Sequence, residues 1–423
     1  MSVTDLDLVA RANAVIPGGS TVAALLPAGQ EFVVERASGA YVYTTDGREL
    51  VDFVCGGGPL VLGHAHPAIA DALSRAATLG THHYVLHRRT VELAERICRH
   101  VESAEMVRFT GSGTEATAHA LRLARAVTGR RGIVKFDGAY HGHHDLGVWS
   151  FEHSEADGSR PIAEAAGVQH GIAEDLAIVP FNDPDAIGAL LDSAPDRFAA
   201  VICEPVQRAL PPEPGFLEAV RAACDRTGTV LIFDEIVTGF RLAPGGAQER
   251  YGVQADLTTL GKALAGGMPL AALAGRRELM EHLDPRSDAA TYSYHCGTFN
   301  GYLAGVECAH ATLDALIEGD GIARLERITA SAADAVRGCF QEAGVPVWVA
   351  TAPGMFQAYF SEAPVRDAAG VRASDLARLK RHTALLLEAG VHKLPNKGYV
   401  SLAHGEAEIE RLVDATRSAL RRG

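Results

Sequence analysis

Four apolar runs punctuate the middle of the chain: Gly132-Ile-Val-Lys-Phe136, Leu176-Ala-Ile-Val-Pro180, Ala199-Ala-Val-Ile-Cys203 and Thr229-Val-Leu-Ile-Phe233. A strand with one wet face alternates apolar and polar residues. A strand apolar throughout is covered on both faces. Between the runs lie helical patterns near 184–193 and 215–227. Strands alternating with helices make a parallel sheet with helices on each side. Open sheets of that kind bind ligands beyond the carboxyl ends of their strands, so the residues that follow each run matter most.

Met106-Val-Arg-Phe109 reads as one more strand, and it passes directly into Thr110-Gly-Ser-Gly-Thr-Glu115 and a helix from Ala116 to Val127. A glycine-rich turn at a helix N-terminus offers free amides, the Ser112 and Thr114 hydroxyls and the positive end of the helix dipole, which suits phosphate. Ser112-x-x-Glu115 is also a capping box in its own right, and both readings can hold at once. The turn is neither a Walker A loop nor GxGxxG, so a nucleotide is not indicated. The run ending at Phe136 leads into Asp137-Gly-Ala-Tyr-His-Gly-His-His-Asp145. Tyr140 can stack on a flat ring. His141, His143, His144 and Asp145 match no standard metal spacing and read as hydrogen-bonding groups. Glu204 follows one run and Asp234-Glu235 another. A carboxylate delivered to the edge of a buried sheet needs a cation or good hydrogen bonds; alternatively Asp234 simply caps the next turn. Ile236 falls on the same side as Asp234 if the strand continues.

The chain has five lysines, and Lys262 stands apart in Asp256-Leu-Thr-Thr-Leu-Gly-Lys262-Ala-Leu-Ala-Gly-Gly-Met-Pro269, with no acid within five residues on either side. Lys380, Lys393 and Lys397 lie in a polar C-terminal third, and Lys135 near the end of an apolar run; none of the four draws notice. An ammonium kept from water loses its proton more readily, and the free amine attacks carbonyls. Alone, Lys262 reads rather as a lysine snorkelling to the surface from a loop. A phosphate cradle, a ring-stacking tyrosine, a buried acid and an isolated lysine are each weak signals. Together they specify pyridoxal phosphate, which needs an anchor for its phosphate, a surface for its ring, an acid for its pyridine nitrogen and an amine for its aldehyde.

The rest of the chain narrows the setting. At 423 residues and 47% hydrophobic, it is long enough for two or more domains. A net charge of −13 argues against nucleic acid and against an anionic membrane surface. Seven scattered cysteines without a Cys-x-x-Cys pair suit a reducing cytosol, and no signal peptide or membrane-length run is read, so a cytoplasmic location is expected. His64, His66, His82, His83 and His87 lack carboxylate partners and helical spacing, and no metal site is expected there. Residues 4–15 suggest a short helix, followed by strands at Phe32–Arg36 and Ala40–Thr44 and a hairpin turn at Asp46-Gly47. Cys55-Gly-Gly-Gly58 is either a flexible connector or a close approach of backbone to ligand. Residues 152–172 read as a long loop, 313–340 as mostly helical, 345–359 as strand-like, 362–374 as loop and Glu406–Arg422 as a final amphipathic helix.

The sequence also resembles the class III aminotransferases among the fold-type-I pyridoxal-phosphate enzymes, in the branch of glutamate-1-semialdehyde 2,1-aminomutase and β-amino-acid aminotransferases. The matching segments are Gly58-Pro-Leu-Val-Leu-Gly-His-Ala-His-Pro67, Gly111-Ser-Gly-Thr-Glu-Ala-Thr117, Lys135-Phe-Asp-Gly-Ala-Tyr-His-Gly-His143, Phe233-Asp-Glu-Ile-Val-Thr-Gly-Phe-Arg241, Leu257-Thr-Thr-Leu-Gly-Lys262 and Gly297-Thr-Phe-Asn-Gly301. They cover most of residues 15–305 in family order. The resemblance implies an α/β fold. A large domain at 61–305 would bind the cofactor, a smaller domain would lie at 306–423, and residues 1–60 would pack with the smaller one.

By the same resemblance, Lys262 would hold the cofactor aldehyde and shuttle the proton, and Asp234 would pair with the pyridine nitrogen. Tyr140 and Ile236 would sandwich the ring, with His141 and Glu204 beside it. Ser112, Gly113 and Thr114 would take the phosphate, and Thr298 would reach the phosphate of a second subunit, so a homodimer is expected. The partners would be an amino donor and an oxo-acid acceptor, the donor an amino acid or amine, β-amino acids included. Departures from the aminomutase concern the substrate. Ser20–Leu26 supplies no arginine, Gly56-Gly57 replaces a Ser-Trp pair, and Lys393–Val400 is shortened. Arg208, in a shortened loop, is either the carboxylate ligand or a surface arginine. An aminotransferase is expected, with an aminomutase or an amino-acid racemase as the alternative.

Overall fold

The central sheet forms where the apolar runs place it. The computed structural model describes residues 5–23, 26–153 and 160–423. Its largest sheet comprises β1 (Met106–Thr110), β2 (Gly132–Phe136), β3 (Leu176–Val179), β4 (Phe198–Cys203), β5 (Val230–Glu235), β6 (Leu257–Leu260) and β7 (Ala271–Gly275). The spatial order is β1-β7-β6-β5-β4-β2-β3. Only β7 runs against its neighbours, β1 and β6; the other pairings are parallel.

Every residue of β2, β4 and β5 is buried, which is why these strands are apolar without alternation. Alternate residues enter two separate cores. Val201, Cys203, Leu231 and Phe233 pack with Phe136, Phe181 and Phe216 on one face. Ala200, Ile202, Val230 and Ile232 pack with Leu121, Leu257 and Leu273 on the other. The helix Gly113–Thr128 starts on a complete Ser112/Glu115 capping box and ends on Gly129, at φ 68°.

The described residues form two units. The second holds Ala68–Ala323 and Val365–Val371, including the large sheet. The first holds the described residues up to Pro67 with Arg324–Pro364 and Arg372–Gly423. In it, Val34–Ser38, Tyr41–Thr44, Glu49–Asp52 and Val391–His392 form one sheet, and Trp348–Ala352, Met355–Tyr359 and Gly398–Tyr399 another. The Asp46-Gly47 turn closes a hairpin as expected, with Gly47 at φ 89° and its amide 3.0 Å from the Thr44 carbonyl.

One expectation changes. The stretch 362–374 is not all loop: Ala368–Ala373 is a short helix, begun where Asp367 Oδ1 accepts from the Gly370 amide at 2.7 Å. The stretch 313–340 is mostly helical as expected, with a π turn over Asp314–Glu318 and a break at Asp320, at φ 56°. No described helix is long and apolar enough to cross a membrane.

Three lysines that the sequence did not single out are interior: Lys135 is 1% exposed, Lys393 7% and Lys397 8%. Lys393 Nζ donates to Gln357 Oε1 at 2.6 Å and to the Leu394 carbonyl at 2.9 Å. Both partners are neutral, and burial pushes its pKa down to about 7 from 10.5. Between those two pH values the unfolded chain binds a proton that the folded chain does not, so stability rises with pH across that window. Compared with Lys393→Met, the wild type is expected to gain about 1.4 kcal/mol for each pH unit above 7, flattening near the unfolded value. Urea unfolding of the two proteins at a series of pH values checks this; parallel curves would refute it.

Candidate active site

Asp234 closes the carboxyl end of β5 and is only 5% exposed. Its Oδ2 accepts from His141 Nδ1 at 2.7 Å. Its Oδ1 accepts from Thr259 Oγ1 at 3.1 Å and from the Ile236 amide at 3.2 Å. A carboxylate has about four acceptor positions, so three donors leave room for one more. His141 is 2% exposed, and its Nε2 has no hydrogen-bond partner among the described residues. Beside it, burial pushes His144 down to about 4, so the ring is neutral, and its Nε2 lies 3.1 Å from Thr117 Oγ1.

The neighbouring strand brings the amine. β5 and β6 run parallel with Asp234 opposite Thr259 and Glu235 opposite Leu260, so Gly261 and Lys262 follow at the same edge. Lys262 opens a 3-10 turn, Lys262–Ala265, with its backbone at φ 42°, a conformation L-residues rarely adopt. A Cβ on Gly261 or on Gly113 would come within 3.0 Å of Ile236 Cδ1. Ile236 therefore fills the space between the Lys262 turn and the glycine turn that starts the helix.

In that glycine turn, Glu115 Oε2 accepts from the Gly111 amide at 2.7 Å and the Ser112 amide at 3.1 Å, and Ser112 Oγ accepts from the Glu115 amide at 3.3 Å. The capping box exists, and the Gly113 and Thr114 amides remain in the first turn, where no helical carbonyl precedes them. The loop after β2 lies against this turn. Thr114 Oγ1 is 3.1 Å from His143 Nδ1, and a Cβ on Gly142 would meet Thr114 at 2.7 Å. Tyr140 is 39% exposed, and its amide donates to Glu204 Oε2 at 3.2 Å.

Ser112, Gly113, Thr114, Tyr140, His141, Glu204, Asp234, Ile236 and Lys262 are thus brought to one edge of the sheet. Arg208 lies close by: its Nη2 donates to the Phe151 carbonyl at 3.0 Å, and the Phe151 ring stands edge-on to Tyr140 at 5.6 Å. Thr298 is not brought in; it is exposed in the turn before the helix Leu303–Leu313. Sequence reasoning missed Thr259, whose signal is a hydroxyl at a fully buried strand position opposite Asp234. The set fits pyridoxal phosphate, with helix-start amides for an anion, a buried carboxylate with one acceptor position left, and a lysine on the adjacent strand end.

Residues 26–391 match the aminotransferase class-III family model. The chain belongs to the class III aminotransferases. It is a pyridoxal-phosphate-dependent transaminase of that family. The chain is 38% identical over 424 residues to "Glutamate-1-semialdehyde 2,1-aminomutase 2" of Brevibacillus brevis, covering 98% of this chain and 97% of that protein. It superposes on an omega-transaminase from Sphaerobacter thermophilus with a TM-score of 0.93, at 34% identity over 99% of this chain and 98% of that one. A structure described as a transaminase with PLP bound gives a TM-score of 0.91, at 33% identity over 100% of this chain and 98% of that one.

For this aminotransferase, Asp234→Asn preserves shape but removes the charge. The expected result is a fall in single-turnover transamination of about 10²–10³-fold, the usual loss for one preorganised charge contact. Stopped-flow loss of the cofactor's visible band measures it, and an unaltered rate would remove Asp234 from the chemistry.

Proposed function

We propose that this chain moves an amino group from an amino acid or amine, β-amino acids included, to an oxo acid, as a cytoplasmic homodimer. The observation that carries the reading is Lys262 and Asp234 at the ends of adjacent strands, in register through Thr259. When bound, pyridoxal phosphate supplies an aldehyde for the amino group and a ring that accepts electrons from the substrate carbon.

The chain's residues do the rest. Asp234, which accepts from His141, Thr259 and the Ile236 amide, would pair with the pyridine nitrogen. Ser112, Gly113 and Thr114 bind the phosphate at the helix start. Tyr140 and Ile236 hold the ring from its two sides, and Glu204 steadies Tyr140 through its amide. Lys262 Nζ takes the proton from the donor carbon and later returns it. Arg208 binds the donor carboxylate; its place beside Phe151 and Tyr140 supports this.

Transamination is favoured over isomerisation by three features. Ser20–Leu26 has no arginine, and Lys393–Val400 is short. Gly56-Gly57 stands where the aminomutase pattern has a Ser-Trp pair. The name of the B. brevis relative supports the second reading, an aminomutase. The homodimer is supported by an exposed apolar patch in which Tyr84, Leu86 and Phe299 are 71%, 81% and 62% exposed. The His82 ring joins it, 6.3 Å from Tyr84 and 5.5 Å from Phe299. Thr298 lies beside Phe299 and would reach the second subunit's phosphate from there.

Visible spectra during addition of amine donors without acceptor test the reading. Lasting bleaching of the cofactor band with an equal yield of carbonyl product is expected; recovery of the band without net product would favour the aminomutase. Arg208→Gln is expected to raise KM for carboxylate-bearing donors about 10–100-fold, the worth of one charged hydrogen-bonded contact. Simple amines should be unaffected, and equal effects on both would refute the role. Leu86→Asp is expected to shift sedimentation from dimer to monomer.

A further inference from the structure

We propose that Lys135 is a positioning residue: its buried ammonium ties the neck of the loop that carries Tyr140 and His141. This rests on the reading of those two residues as cofactor-side groups. Lys135 lies in the interior of the sheet, on β2, opposite Ile178 of β3 and Ile202 of β4, and is 1% exposed. Its chain leaves the sheet at Asp137 and returns at Trp149 and Ser150. Two bonds close that neck. Lys135 Nζ donates to the Trp149 carbonyl at 2.5 Å, and the Gly138 amide donates to the Ser150 carbonyl at 2.9 Å. Within the loop, Trp149 Nε1 donates to the Asp145 carbonyl at 2.7 Å and the Gly147 amide to the His144 carbonyl at 2.7 Å. The loop is thus a closed ring, and of the two bonds at its neck the one from Lys135 is charged.

The charge has a second consequence. Glu204 is the carboxylate that most favours the Lys135 ammonium, and it also accepts the Tyr140 amide. The cation under the loop and the backbone of Tyr140 therefore share one carboxylate that is itself only 7% exposed. Without the ammonium, Glu204 would be a buried charge short of its cation, and the grip on Tyr140 would change with it. The other charged groups facing Lys135 are Glu164 and Asp137, which favour its protonation, and Arg208, which opposes it. The neutral His144 also lies nearby. Burial outweighs the acids and pushes the ammonium down to about 7. The fastener is fully charged below neutral pH and loses its charge above it, so the loop loosens as pH rises.

Hydrogen exchange of the 138–149 amides, followed by mass spectrometry on the full chain with and without pyridoxal phosphate, is the test. Wild type and Lys135→Met are compared at pH 6 and pH 8, with rates corrected for intrinsic exchange. The expected wild type exchanges about tenfold faster in this loop at pH 8 than at pH 6, and Lys135→Met is fast at both. Lys135→Met is also expected to lower its thermal midpoint, since Glu204 and the Trp149 carbonyl lose their buried partner, while kcat falls about 10²-fold from misplacement of the ring face. A role in core packing alone would leave the loop's pH response intact. If Lys135→Met does not fold, the wild-type pH comparison decides by itself. Loop exchange that is equal at the two pH values, or unchanged in a folded Lys135→Met, overturns the proposal. Altered exchange in both cofactor-loaded and cofactor-free protein, with kcat unchanged, would uphold the fastener and overturn the catalytic placement of Tyr140 and His141 instead.

Discussion

The site depends on a carboxylate held away from water. Asp234 is fixed at the sheet edge because three protein donors reach it, and each comes from a different part of the chain. His141 belongs to the loop after β2, Thr259 to β6, and the Ile236 amide to the turn after β5. Removing any one would leave a buried charge poorly matched, at a cost of about 1–3 kcal/mol per lost partner. One anion thus fixes three elements relative to one another. Lys262 inherits its place from Thr259 through the strand register, and Ile236 inherits its place from the turn that its own amide anchors.

Strand alternation divides the labour of two adjacent acids. Asp234 and Glu235 are consecutive, so their side chains leave opposite faces of β5. Glu235 is fully buried, and burial raises its pKa. It accepts from Thr238 Oγ1 at 2.8 Å, the Ala247 amide at 2.6 Å and Gln248 Nε2 at 3.1 Å. It therefore stitches the segment 236–248 onto the sheet, holding Phe240 at φ 56° in a fully buried position. A one-residue slip of β5 would exchange the two acids and destroy both networks. The apolar residues at alternate positions of the strand, feeding two different cores, are what forbid that slip.

Much of this was legible in the sequence, for identifiable reasons. Unbroken apolar runs can only be doubly covered strands, and acids or glycines placed just after them mark the ligand edge. Asp234, Tyr140 and the Ser112–Thr114 turn were found in that way, whereas their individual roles came from family resemblance. What escaped were polar groups inside apolar runs. Thr259 looks like an ordinary β-branched strand residue until the register sets it opposite Asp234. Lys135 looks like the frayed end of a strand, because an ammonium beside an apolar run usually snorkels out to water. Only the three-dimensional return of Trp149 supplies the carbonyl that keeps it in. Thr298 shows the opposite limit: a residue whose partner is expected on another subunit has no contact within one chain that could reveal it.

Three of the nine described non-glycine residues with positive φ lie near this edge. Ser150, Arg208 and Lys262 are non-glycine residues with φ of 45°, 62° and 42°. Each left-handed residue costs roughly 1–2 kcal/mol, and glycine at these places would relieve it. At Lys262 the relief is unavailable to a chain that uses the amine as its proposed reactive group. At Ser150 the serine does local work, its hydroxyl accepting from the Ile162 amide at 2.9 Å while its carbonyl closes the neck of the Tyr140 loop. At Arg208 the strained backbone lies in the tight turn between Gln207 and Leu210, whose amides and carbonyls pair at 3.0 and 2.8 Å. At the loop neck and beside Tyr140 the strained backbone is held by hydrogen bonds of the surrounding turns, as over-determined strain requires.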